Sequence, residues 1–374
     1  MPSVPIEQDL VLVGGGHAHV HVLKSFDRRP VPGVRLTLVT RDLDTPYSGM
    51  IPGLIAGHYT PQDCHIDLRR LARIAGARLI HAEAVGIDRG AQQVLLSGQP
   101  PVRYDRLSLD IGSRPALDVP GAAEHAIPLK PIDGLVERWG RLADRLCAAM
   151  HPQRVTMVGG GAAGVEVILS MHHALGRRCP AALPRFTLVT RGPLLTGHAP
   201  RVARIFRRVL AERGIALHEE ADVARVEADA LHLADGTRLA CDAVVWATEA
   251  GAAPWLAETG LALDPRGFVL VDAALRSVTD PRIFAAGDVA AVQPHPRPKA
   301  GVFAVRQGPP LAANLRRALA GGEPKPFTPQ RRILALIGTG DARAVASRGP
   351  LVAEGAWVWR LKQWIDRRWI RGYQ

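Results

Sequence analysis

One short segment occurs twice: Arg35-Leu-Thr-Leu-Val-Thr-Arg41 returns as Arg185-Phe-Thr-Leu-Val-Thr-Arg191 with a single change. Each copy follows a Val/Leu-rich run and a glycine turn. These are Asp9-Leu-Val-Leu-Val13 before Gly14-Gly-Gly16, and Arg154-Val-Thr-Met-Val158 before Gly159-Gly-Gly161. A duplication constrains the fold more than an isolated motif, because each copy must be a supersecondary unit in its own right. Unbroken apolar runs suit strands buried on both faces of a parallel sheet, and the stretch between them holds a crossover helix. Each copy therefore reads as a βαβ unit. The expected fold class is α/β, with two Rossmann-like, doubly wound dinucleotide-binding domains.

The length of 374 residues allows two to three domains with sizeable cores. Composition is that of an ordinary globular chain, with 47% hydrophobic and 22% charged residues, which excludes disorder. No apolar stretch approaches the ~18 residues of a membrane-spanning helix. The stretch from Met1 to Asp9 lacks a basic lead into an apolar run, unlike a secretory signal. Cys64, Cys147, Cys179 and Cys241 form no closely spaced pair, so reduced thiols and a cytoplasmic location are expected. The net charge of +12 suits phosphates, nucleic acid or an anionic membrane face. With no zinc finger, basic heptad or aromatic-basic RNA motif, no nucleic-acid partner is expected.

A Gly-x-Gly-x-x-Gly turn between strand and helix presents backbone N–H groups to a pyrophosphate. The second copy is complete, with Gly159, Gly161 and Gly164 and, inside the turn, Ala163; Val165-Glu166 follows. The first has Gly14 and Gly16, but His19 at the third position. The acid that usually holds a ribose at the end of the second strand is replaced by Thr40 and Thr190; Arg41-Asp42 lies beside the first and Arg191 beside the second. NADH and NADPH both remain open for the second unit. His17, His19 and His21 do not form a one-face ligand set, and no metal is expected. A Pro-rich passage from Pro115 to Pro152 separates the units, with a helix expected over Asp133–Met150.

Further motifs carry a resemblance. Ile283-Phe-Ala-Ala-Gly287-Asp288-Val289 resembles the segment by which two-dinucleotide flavoproteins hold the FAD ribityl chain. Asp110-Ile-Gly112-Ser-Arg114-Pro115 resembles the crossing out of the FAD domain, and Val245-Trp-Ala-Thr248-Glu249-Ala250 its counterpart, with Glu249 where glycine is usual. Together they resemble the pyridine nucleotide-disulfide oxidoreductase superfamily, on its type II NADH dehydrogenase and sulfide:quinone reductase side. The stretches Gly14-Gly-Gly-His-Ala-His19, Thr45-Pro-Tyr-Ser-Gly-Met-Ile-Pro-Gly53 and Arg297-Pro-Lys-Ala-Gly-Val-Phe-Ala-Val-Arg-Gln-Gly308 look like the NADH dehydrogenase-like proteins associated with selenide, water dikinase.

The resemblance implies an FAD domain over residues 1–117 and 265–332, an inserted NAD(P)H domain over 118–264, and a C-terminal region over 333–374. It implies pyrophosphate on Gly14, Gly16, His17 and Ala18, and ribose contacts near Thr40, Arg41 and Asp42. The adenine would meet the backbone of Ala84, and the ribityl chain Gly287 and Asp288. The isoalloxazine would lie near Ser48, Pro52, Lys299, Ala300, Val302 and Phe303, with Asp110, Gly112 and Arg114 at the crossing. Gly159, Gly161, Ala163, Gly164, Thr190, Arg191 and Thr248 would hold NADH or NADPH, with Glu166 beside the nicotinamide.

The implied activity is hydride transfer from NAD(P)H to FAD, then electron transfer to a small acceptor, with a quinone expected. Lys299 is the candidate to stabilise a reduced flavin and Glu166 the second candidate catalytic residue. The segment His17–Phe26 has no cysteine, so a dithiol disulfide reductase is not expected. The rival reading is a non-catalytic flavin or nucleotide-binding redox sensor or partner in selenium metabolism. The C-terminal stretch places Trp357, Leu361, Trp364, Ile365 and Trp369 near one helical face and Arg360, Lys362, Arg367 and Arg368 elsewhere. That pattern marks it as a candidate for packing on its own domain or on a homodimer partner, or for peripheral contact at the inner face of the membrane.

Overall fold

The computed structural model describes residues 5–132, 134–248 and 250–374. The expectations placed on Asp133 and Glu249 lie outside the described residues. Strand β1 (Gln8–Val13) is followed by helix α1 (His17–Arg28), β2 (Val34–Thr40), β3 (Arg78–His81) and β4 (Arg106–Leu109). Leu10, Val11 and Leu12 are all fully buried, as a run covered on both faces requires. Helix α1 lays Ala18, Val20, Val22, Leu23 and Phe26 into this core.

The second copy runs through β5 (Ala126–Pro128), α2 (Leu135–Ala148), β6 (Arg154–Val158), α3 (Ala162–Arg178), β7 (Arg185–Val189), β8 (Ala216–His218) and β9 (Ala243–Trp246). Strand β10 (Ile283–Ala285) then returns to the first sheet, and α4 (Gly301–Leu319) packs along α1. Both sheets are five-stranded and parallel, in the orders β10-β4-β1-β2-β3 and β5-β9-β6-β7-β8. The repeat is thus expressed as one topology used twice, with the strand before each glycine turn at the centre. The two chain passages between the sheets run side by side, Arg114–Pro115 pairing antiparallel with Ala250–Gly251.

A three-stranded antiparallel sheet, β11 (Ala335–Gly338), β12 (Ala344–Arg348) and β13 (Leu351–Gly355), leads into α5 (Ala356–Ile370). Its buried residues are Val358, Trp359, Lys362, Asp366 and Ile370. This corrects the expected amphipathic face. Lys362, one of the basic residues expected outside the apolar face, is buried because it has charged partners inside, whereas Trp357 and Trp364 are 56% and 58% exposed. No helix among the described residues is long and apolar enough to cross a membrane.

A second correction concerns the cysteines. The ends of α2 and α3 converge, and Cys147 and Cys179, 32 positions apart, form a disulfide with 5.5 Å between Cα atoms. Cys64 and Cys241 are free and buried, as expected of small core residues.

Candidate functional site

Both glycine turns are shaped by the strand end beside them. Gly14 has φ +93°, and a Cβ there would lie 2.4 Å from the carbonyl oxygen of Asp110; Gly159 has φ +123°, with the Ala247 carbonyl oxygen at 2.5 Å. Only glycine fits either position. In the second turn a Cβ on Gly164 would meet Gly159 O at 2.0 Å, so the third glycine brings α3 against the turn. In the first turn the same relation is solved differently. The fully buried His19 places Nδ1 2.7 Å from Gly14 O and Nε2 2.8 Å from Ser108 Oγ, so an imidazole fills the gap and satisfies the carbonyl. Burial lowers His19 to about 4, keeping the ring neutral.

Asp110 reaches under this turn. Its Oδ2 accepts from the N–H groups of Ala18 at 2.8 Å and His19 at 3.0 Å, capping α1 from a strand 92 residues away. Gly16 leaves room for it, since a Cβ there would lie 2.3 Å from the carboxyl group. Burial pushes Asp110 up to about 7, against the hydrogen bonds from His19 and Ala18. The N–H groups of Gly15 and His17 donate to no acceptor among the described residues. Two open donors at a helix N-terminus, above a carboxyl that is neutral below about pH 7, fit a dinucleotide pyrophosphate.

The other expected FAD contacts lie on several elements. Thr40 is buried and donates to Asp42 O at 2.8 Å, while the side chain of Asp42 pairs with Arg41 on the surface at 2.8 Å. Ala84 is buried on its own strand, and Arg114 pairs with Glu83 at 3.1 Å. Gly112 and Gly287 have φ +71° and +70°. Ser48 abuts the start of α4, where a Cβ on Gly301 would lie 2.5 Å from its Oγ; Ala300 caps that helix, Phe303 is buried and Val302 half-buried. Pro52 is buried in the short helix Ile51–Ile55.

Lys299 donates to Ala290 O at 2.6 Å and stands 3.8 Å above the Phe268 ring. Burial lowers it to about 8, opposed by Asp288 and Asp264. Asp288 is engaged by a residue absent from the expectations, Lys130, whose Nζ lies 2.6 Å from Oδ2. No motif marks Lys130, which sits in the irregular passage Leu129-Lys130-Pro131. At the second turn Gly161 begins α3 with Ala163 in its first turn, Thr190 is buried against Gly160, Arg191 is exposed, and Thr248 is exposed.

Glu166 lies deep rather than at the helix surface. Its Oε1 accepts from Gly338 N at 2.8 Å and lies 3.7 Å from Lys362 Nζ, which also approaches Asp366 Oδ2 at 3.2 Å and donates to Gly49 O at 2.7 Å. Burial raises Glu166 and Asp366 above the usual carboxylate range. Burial works against the Lys362 ammonium, but Glu166 and Asp366 outweigh it and hold it above its ordinary value. The cluster connects the second turn's helix, the Ser48 loop and α5.

On the far side of that loop, α5 closes an aromatic box. Tyr47 stacks on Trp369 with ring centres 4.3 Å apart, and His17 lies 5.3 Å from Trp369 and 5.5 Å from Tyr47. His17 Nε2 is buried with no hydrogen-bond partner among the described residues. Burial lowers His17 to about 4, with Asp288 opposing, so the ring is neutral. A shielded, unsatisfied polar atom is costly unless something completes it.

The chain matches the sequence profile described as pyridine nucleotide-disulphide oxidoreductase over residues 8–308. It is 31% identical over 239 residues to an NADH dehydrogenase-like protein of Mycobacterium tuberculosis, covering 62% of this chain and 59% of that protein's length. A probable ferredoxin reductase of Castellaniella defragrans is 29% identical over 335 residues, 85% of this chain and 76% of that one. A demethylphylloquinone reductase of Synechocystis is 24% identical over 223 residues, 57% and 54% of the two chains. Among solved structures, the sulfide:quinone oxidoreductase of Aquifex aeolicus superposes with a TM-score of 0.82 at 19% identity over 97% of this chain and 91% of that one. The NDH2 of Plasmodium falciparum in complex with NADH gives 0.81 at 14% identity over 98% and 99%. At these identities the structures establish the shared fold.

Proposed function

The chain belongs to the pyridine nucleotide-disulphide oxidoreductase family, and from that premise we propose that it is an FAD-dependent NAD(P)H oxidoreductase passing electrons to a quinone. The observation that carries this reading is the pair of glycine turns, one per parallel sheet, each with a strand-end carbonyl against its first glycine. When bound, FAD supplies the carrier that accepts a hydride from the nicotinamide and releases electrons to the acceptor. The chain's own residues hold and orient. Gly14, Gly16, His17 and Ala18 would receive the pyrophosphate, and Gly287 and Asp288 the ribityl chain. Ser48, Pro52, Ala300, Val302 and Phe303 would wall the ring system, with Lys299 offering it positive charge. Gly159, Gly161, Ala163 and Gly164 would hold NADH or NADPH.

The aromatic box supports the quinone as acceptor. Tyr47 and Trp369 are stacked on each other, so a quinone ring would extend that stack from an outer face, and the neutral His17 Nε2, protonated on that nitrogen, would donate to its carbonyl oxygen. The reductase of demethylphylloquinone among the relatives supports the same acceptor class, and α1 carries no cysteine for a dithiol route. The cluster of Glu166, Lys362 and Asp366 would hold a proton near the box, which it meets where Asp366 accepts from the Tyr47 hydroxyl. Trp357 and Trp364, exposed on α5, support peripheral contact with the membrane from which a quinone would come.

The test is an acceptor screen on holoprotein prereduced anaerobically, with Trp369→Ala alongside. The reading expects a quinone to reoxidise the wild type fastest, and Trp369→Ala to slow that step without slowing reduction by NAD(P)H. Faster reoxidation by ferredoxin or dioxygen than by any quinone overturns the acceptor.

A further inference from the structure

Lys130 belongs to the segment leaving β5, an edge strand of the second sheet, yet its ammonium reaches the first. Nζ lies 2.6 Å from Asp288 Oδ2 and 2.8 Å from Ser113 Oγ, and Ser113 Oγ donates to the same Oδ2 at 2.8 Å. One carboxylate oxygen thus takes two donors, while Oδ1 takes none among the described residues. The backbone beneath is set independently: Gly287 has φ +70°, a Cβ there would strike Asp110 Oδ1 at 2.4 Å, and its N–H donates to Gln307 Oε1 at 2.6 Å. The pair is largely shielded, with the Lys130 and Asp288 side chains 28% and 17% exposed, which sets it apart from surface ion pairs of negligible worth. Lys299, the other lysine nearby, spends its hydrogen bond on Ala290 O instead.

We propose that Lys130 is a positioning residue for the flavin: by holding Oδ2 it leaves Oδ1 as the acceptor for a hydroxyl of the flavin's sugar-alcohol chain, and it ties that acceptor to the placement of the second sheet. This rests on the FAD reading above. The residue acts only through Asp288. Its removal frees the carboxylate to turn and leaves that carboxylate's charge unpaired; with Asp288 already neutralised, its removal changes little.

The experiment titrates apoprotein with FAD, following quenching of FAD fluorescence, for wild type, Lys130→Met, Lys130→Arg, Asp288→Asn and Lys130→Met/Asp288→Asn. Lys130→Met is expected to raise Kd about tenfold, the size of one lost charge-assisted hydrogen bond, and Lys130→Arg to restore most of it. In the Asp288→Asn background Lys130→Met is expected to change Kd less than about twofold, the non-additivity of two groups acting as a unit. Ser113→Ala, which removes the other Oδ2 donor from the first half, gives a second route to the same loss, and near-UV circular dichroism verifies folding of each apoprotein. Wild-type affinity in Lys130→Met, or an equal loss in both backgrounds, overturns the proposal while leaving the FAD reading intact. A wild-type protein that binds no FAD overturns both.

Discussion

With FAD seated on the first glycine turn as proposed, Asp110 beneath it should make the affinity depend on pH in a direction that can be worked out. Burial raises this carboxyl from 3.8 to about 7 although two N–H groups donate to it. At 1.36 kcal/mol per decade the shift amounts to about 4 kcal/mol against the ionised form. The folded value lies above the unfolded one. The contribution to stability is therefore fully present below the unfolded value and is lost as pH rises through about 7. A bound pyrophosphate adds negative charge above the same carboxyl and favours its protonated form further. If only that form accepts FAD, the apparent Kd grows as one plus the ratio of ionised to protonated Asp110, about tenfold between pH 6 and pH 8. His17 and His19, both lowered to about 4, stay neutral across this window, while Lys299, lowered to about 8, loses part of its charge toward pH 8 in any variant that keeps it. Asp110→Asn keeps an oxygen to cap α1 without an ionisable proton. Titration of apoprotein with FAD at several pH values should show the wild type weakening about tenfold from pH 6 to pH 8 and the variant much less, with only the partial loss of the Lys299 charge left to act. Equal slopes in the two proteins, or no slope in the wild type, would refute the argument.

Three other outcomes follow from named contacts. Gly164→Ala sets a Cβ 2.0 Å from Gly159 O, so the flavin should be retained while its reduction by NAD(P)H in stopped flow falls at least about tenfold. The Cys147–Cys179 disulfide closes a 32-position loop, so reduction should lower unfolding free energy by about 3–4 kcal/mol in urea. The double Cys→Ser variant should ignore the reductant; a reductant effect of the same size there would show that the disulfide is not its source. Replacing exposed Trp357 and Trp364 with Ser should reduce flotation with anionic liposomes several-fold without shifting the thermal midpoint, and unchanged flotation would remove the membrane role of α5.

The elements that repeat were the legible ones. Two copies of strand, glycine turn and strand were readable because buried parallel strands are apolar throughout and the turns need glycine at Gly14 and Gly159 for steric reasons. What depended on distant partners was not readable. The sequence showed His19 as a departure from the glycine pattern, but not that Gly14 O and Ser108 accommodate it, nor that Asp110 would reach from β4 to cap α1. Hydrophobic spacing on α5 missed the burial of Lys362, because a charge goes inside only where partners await it; Asp366 stands one turn on along α5, but Glu166 comes from α3 and Gly49 O from the Ser48 loop. Spacing likewise could not pair Cys147 with Cys179, since only the convergence of the C-terminal ends of α2 and α3 brings them together. Lys130 lay in a stretch without periodicity, so no pattern singled it out.

The central claim, that one chain holds FAD and a nicotinamide reductant on its two halves, is tested most directly by supplying purified protein with FAD, removing excess, and mixing it anaerobically with NADH or NADPH. The account predicts a yellow protein whose flavin absorbance bleaches on mixing with at least one of the two. A folded protein that stays colourless after FAD is supplied, or a yellow one that neither nucleotide bleaches, would contradict it.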